Sequence, residues 1–214
     1  LLSDISAIRR IPESLQNLAL TGVRAVDFSA LSHRRLKYLL LDSISERSIG
    51  PDELVVDNLS LDIECYGLNL AKWFGNSQIS RLTLRSFPWR ESPAQIVLPL
   101  GVSHLNLSSI LPKFVEGANN VRSLSIWFVG RDPQIQESWL AGLSNFPELE
   151  DLDIRSSKIP ENISDIGLMT CANQISLSWF YGVKVNGGAP PAIAGFELST
   201  EDRYRVIYTR SQSL

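Results

Sequence analysis

The feature that most constrains this chain is a six-residue pattern, apolar-x-x-apolar-x-apolar, that returns at nearly even steps from one end to the other. Its first position falls at Leu15, Leu36, Val56, Ile79, Val102, Val121, Leu149, Ala172 and Ile193, at intervals of 21, 20, 23, 23, 19, 28, 23 and 21 residues. Each occurrence reads as a short strand with one inward face. At Leu149-Glu-Asp-Leu-Asp-Ile154 the strand follows an amphipathic run, 139–148, whose helical spacing stops at Pro147. A unit of this size cannot bury its apolar face alone, and the even spacing supplies neighbours of the same kind. A stack of such units is one continuous object, so the 214 residues imply a single domain rather than two.

The triplets that carry the pattern are Leu15, Leu18, Leu20; Leu36, Leu39, Leu41; Val56, Leu59, Leu61; Ile79, Leu82, Leu84; Val102, Leu105, Leu107; Val121, Leu124, Ile126; and Leu149, Leu152, Ile154. Two weaker units, Ala172, Ile175, Leu177 and Ile193, Phe196, Leu198, complete nine. On these residues the chain resembles the leucine-rich-repeat proteins over about residues 15–200. The resemblance implies an α/β solenoid, curved, with a parallel sheet on its concave side and short helices or extended returns on its convex side. The expected layout is an N-terminal flank or cap at 1–14, nine repeats at 15–200, and a cap strand at 201–214, centred on the alternating Tyr204-Arg-Val-Ile-Tyr208.

One departure from the family pattern is plain. Three residues beyond each strand, where many members carry Asn or Cys, stand Val23, Ile44, Glu64, Phe87, Ile110, Val129, Ser157, Phe180 and Glu201. The turn is therefore expected to be held by packing. Between the strands, 68–74 reads as a short helix, 86–93 as an extended return because of its two prolines, and 112–120 as a one- or two-turn return. The longest interval places an insertion at 129–138 on the rim, ahead of a helix at 137–146.

Residues between the pattern positions line the sheet's outward face. The middle ladder is Ala19, Leu40, Ser60, Thr83, Asn106, Ser125, Asp153, Ser176 and Glu197, small and polar. The next ladder is Thr21, Asp42, Asp62, Arg85, Ser108, Trp127, Arg155, Ser178 and Ser199. Arg and Trp anchor protein interfaces because each buries a large area while keeping a polar handle. Arg81, Arg85, Trp127, Phe128, Arg155 and Trp179 are accordingly the candidate partner-binding residues. The competing reading packs the aromatic pairs 127–128 and 179–180 beneath the rim loop as core.

Other chemistry finds little support. His33 and His104 have no Cys or Asp at metal-ligand spacing, so no metal, cofactor or catalytic residue is expected, and the chain reads as a non-enzyme. The carboxylates at 57, 62, 150, 151 and 153 read as solvated surface. A net charge of −3 argues against nucleic acid, and no apolar run reaches the length of a membrane span. Cys65 and Cys171 lie several coils apart, too far to bridge, which leans towards a reducing compartment. Three N-x-Ser sequons, at Asn58, Asn106 and Asn162, read as chance matches outside a secretory pathway.

The expectation is thus a monomeric module that recognises a partner protein through the concave face. It would belong to a larger recognition, adaptor or effector protein, since the only Met is Met169, and it would act inside a cell, in the cytoplasm or delivered into a host's. The resemblance points to intracellular members such as ubiquitin-ligase adaptors, innate immune sensors and pathogen effectors. The rivals are a right-handed parallel β-helix acting on carbohydrate, against which the helical returns argue, and a structural spacer.

Overall fold

The computed structural model describes residues 11–21, 27–44, 48–63, 69–86, 95–127, 142–156, 163–179, 190–202 and 204–211, of which 43, 44, 86 and 179 are described by their backbone alone. The architecture is mostly β and dominated by parallel pairing, with few and short helices. Eight strands run parallel in chain order: β1 (Asn17–Leu20), β2 (Arg35–Ile44), β3 (Val55–Ile63), β4 (Gln78–Ser86), β6 (His104–Ser108), β8 (Ser123–Trp127), β9 (Asp151–Ser156) and β10 (Gln174–Trp179). The sheet stays open, with β1 at one end.

The apolar pattern sets the register. Leu18, Leu39, Leu59, Leu82, Leu105, Leu124, Leu152 and Ile175 are direct neighbours across the strands, and the third pattern positions, Leu20 to Leu177, form a second row. From the second unit to the eighth all three pattern positions are buried, none more than 4% exposed. A register slip by one residue would turn all of them to the opposite face, so burial fixes the alignment.

The returning segments close the core from behind. The helix Leu70–Phe74 stands where 68–74 predicts one, with Asn69 as its N-cap, the side chain accepting from the Lys72 N–H at 2.8 Å. Phe74 and Phe28 are fully buried, and Trp73 meets both rings edge-on while its Nε1 donates to the Ser48 carbonyl at 2.8 Å. Pro112–Phe114 is a 3₁₀ turn leading into β7 (Val115–Glu116), which pairs in parallel with β5 (Ile96–Val97). At 137–146 the described residues show a 3₁₀ turn, Leu143–Asn145, in place of the end of the expected helix. It is entered through Gly142 at φ +93°, where a Cβ would run into the Lys113 backbone. The expected extended return at 87–93 lies outside the described residues, as do the flank at 1–10 and the insertion at 129–138. Of the turn residues with described side chains, Ile110 is 1% exposed and packed, whereas Glu201 is exposed.

The ninth unit departs from expectation. Its first two pattern residues, Ile193 and Phe196, are buried, but Leu198 is 48% exposed. The segment forms β11 (Phe196–Glu201), which lies outermost, and β12 (Arg205–Arg210) inserts antiparallel between it and β10. Val206 and Tyr208 face Leu177 and Ile175 across that pairing and are almost wholly buried. They extend the two inner rows, and the hairpin's second strand takes the inner place. Ile207, not Glu197, thereby continues the middle ladder beside Ser176. The Tyr208 hydroxyl donates to the Pro191 carbonyl at 2.6 Å, and burial, aided by the Glu201 carboxylate, pushes its phenol up to about 12.

An arginine clamps each end. Arg34 donates through Nη1 and Nη2 to the carbonyls of Pro12 and Ile11, at 2.9 and 2.7 Å. Arg210 donates through Nε and Nη2 to those of Ala172 and Thr170, at 2.9 and 2.8 Å, and its guanidinium lies 4.6 Å from the Phe196 ring centroid. No described helix is long and apolar enough to cross a membrane.

Candidate functional site

Strand alternation brings the outward residues into straight ladders. The register places Asp62, Arg85, Ser108, Trp127, Arg155 and Ser178 side by side, one per strand, as the spacing predicts. Arg81 sits two ladders away, across the middle one, between Asn58 and His104. Arg81 and Arg85 are exposed, and Trp127 is 42% exposed at the end of β8.

The centre of the cluster is the Trp127–Arg155 pair. The two are direct neighbours across β8 and β9, with the Arg155 guanidinium 5.8 Å from the indole centroid. Asp153 holds Arg155 in place: its Oδ2 accepts from Arg155 Nε at 2.8 Å and from the Ser125 hydroxyl at 3.4 Å. The pair is thus ordered before any partner arrives, which lowers the entropy lost on binding.

Arg85 is held more loosely, its Nε 4.0 Å from Asp62 Oδ1. Burial raises the Asp62 carboxyl above its ordinary range, Arg85 opposes that shift, and Asp42 adds to it. Between the two arginines the face is polar, with Asn106 Nδ2 donating to Thr83 Oγ1 at 3.2 Å. Ser60 and Ser176, in the middle ladder, are buried.

Two candidates are not settled by the fold. Phe128 lies outside the described residues; Trp179 ends β10, where its backbone pairs with Ser156, and its side chain also lies outside them. One residue of the ladder was missed by sequence reasoning. Arg205 of β12 stands opposite Ser178 and so follows Arg155 along the same row. The alternation at 204–208 signals a strand, but nothing in it reveals that the strand runs backwards into the sheet.

The residues considered for other chemistry fall apart. His33 pairs with Glu53 at 2.8 Å on the solvent-exposed rear, while His104 Nδ1 contacts the Ser103 hydroxyl at 2.9 Å on the sheet. No group of three His, Cys, Asp or Glu side chains that could hold a metal ion occurs among the described residues. Cys171 is a free thiol whose Sγ lies 3.2–3.3 Å from the carbonyl oxygens of Phe146, Pro147 and Leu149; Cys65 lies outside the described residues. Compared with protein-family models, with curated proteins and with solved structures, the chain gives no match.

Proposed function

We propose that this chain is a leucine-rich-repeat type solenoid that recognises a partner protein through the outward face of its sheet, with Arg85, Trp127 and Arg155 as anchors. The observation that carries this reading is the Trp127–Arg155 pair, an exposed indole stacked with a guanidinium that Asp153 already orients. A large aromatic left 42% open on a polar sheet is costly to hydrate and favourable to cover. Arg81 lies at the margin of the patch, and Phe128 and Trp179 are proposed as further contacts. The activity is binding without catalysis, and the module acts as a monomer inside a cell.

The test compares capture from lysate by the wild-type chain and by Arg85→Ala/Trp127→Ala/Arg155→Ala. All three side chains point away from the core, so the melting temperature should shift by only a few degrees. A protein held by the wild type should be lost, with affinity weakened by tenfold or more if one anchor contributes about 2 kcal/mol. Identical capture profiles for the two chains would sink the reading and leave a spacer as the better account.

A further inference from the structure

The far end of the anchor ladder has a geometry of its own. Arg155 and Arg205 flank Ser178, one on each side, so their backbones are two strand spacings, about 10 Å, apart. The two are held in the same way. Arg155 Nε donates to Asp153 Oδ2 at 2.8 Å, and Arg205 Nε donates to the Ser176 hydroxyl at 2.6 Å, each reaching the middle ladder on its own or the adjacent strand. Using Nε for the tether leaves the Nη1/Nη2 edge of each fork turned to other partners. Among the described residues none accepts a hydrogen bond from those nitrogens.

The backbone beneath Arg205 is fixed as well. Asp202 Oδ1 accepts from the N–H groups of Tyr204 and Arg205, both at 2.7 Å, and the Asp202 N–H donates to the Arg205 carbonyl at 2.9 Å. That turn engages the Asp202 oxygen with backbone donors. The nearest carboxylate on the face, Asp153, meets Arg155 through one oxygen only. Asp153 and Asp202 balance the charge of the two guanidinium groups, and each is already engaged, Asp153 with Nε of Arg155 and Asp202 with backbone N–H groups, so the Nη edges of the forks stay available.

We propose that Arg155 and Arg205 form a paired fork that takes the carboxylates of an acidic, extended segment of the partner protein. The assignment rests on the protein-recognition reading and names its chemistry. Each pre-oriented fork offers two parallel N–H donors, the geometry that carboxylates accept in bidentate fashion. An extended chain rises about 3.4 Å per residue, so acidic side chains two or three positions apart span the gap between the forks. Ser178, half-buried between them, adds a hydroxyl to the floor.

The probe is fluorescein-labelled decaglutamate, titrated with the full chain at low ionic strength and read by anisotropy, with decalysine as the sign control. Binding of decaglutamate is expected, weakened at least tenfold in Arg155→Gln/Arg205→Gln and less than twofold in Arg35→Gln/Lys37→Gln, which removes two exposed positive charges from β2. The Arg155→Lys/Arg205→Lys variant keeps the charge and loses the fork, and should fall in between. Absence of decaglutamate binding overturns the assignment, even where the Arg85/Trp127/Arg155 variant loses its natural partner. So does an equal loss in Arg35→Gln/Lys37→Gln, which would mean diffuse attraction. Decaglutamate binding that the arginine pair controls supports the assignment whatever the lysate comparison gives.

Discussion

Asp62 shows how a single side chain on a sheet face carries a pH signature. Its carboxyl is raised from 3.8, first by burial and then by Asp42, against the pull of Arg85. The folded chain therefore holds this proton more tightly than the unfolded chain, and the stability associated with it is present below 3.8 and lost as pH rises through the raised value. Asp62→Asn, which cannot ionise, should melt higher than the wild type at pH 7, and the gap should close as pH falls towards 3.8. Thermal melts of both chains across that range check it; a constant gap would show that charge is not the cause. At this scale the sequence was informative about which residues face outward, since alternation decides that. It was silent on how Arg155 is held, because alternation does not show whether a guanidinium folds back onto Asp153 of its own strand or extends into solvent.

At the scale of elements, the terminal hairpin is where sequence reading and fold diverge. Ile193 and Phe196 are buried as the pattern requires, and yet the strand that follows does not join the parallel stack. An apolar spacing reports which residues leave water but not the direction in which a strand runs. Here Val206 and Tyr208 take those rows, at 0% and 2% exposed. Arg210 then ties the hairpin to the eighth unit through two carbonyls, while its guanidinium lies over the Phe196 ring of β11. Replacing Arg210 by Ala removes two charge-assisted hydrogen bonds and should cost about 2–3 kcal/mol, read by urea unfolding. Protection of the β11 and β12 amides against hydrogen exchange should drop before that of β4 to β9. The short helix Leu70–Phe74 was legible because Asn69 and the apolar residues around Trp73 mark it locally, whereas the 3₁₀ turn Leu143–Asn145 depends on the contact of Gly142 with Lys113, far away in sequence.

Over the whole molecule, stability is a sum of neighbour contacts rather than the property of one centre. Leu105 lies between Leu82 and Leu124 and is fully buried, whereas Leu18 in the first unit has one neighbour strand and is only partly buried. Leu105→Ala should therefore cost about 2–5 kcal/mol, and Leu18→Ala distinctly less, in equilibrium unfolding. Equal losses at the two sites would contradict the stacked arrangement. This layered order was almost fully legible: the intervals between patterns predicted which residue of one strand sits beside which of the next, for eight strands running.

That alignment makes the outward face a graduated scale. Arg85 and Trp127 stand two rungs apart because one unit, that of β6, lies between them, and each rung is about 4.8 Å. Loss or duplication of a unit would slide everything beyond it by a whole rung, leaving each side chain's immediate support in place. The spacing between anchors can therefore change by discrete steps through the gain or loss of about twenty residues of sequence, while the chemistry of each anchor is inherited unaltered.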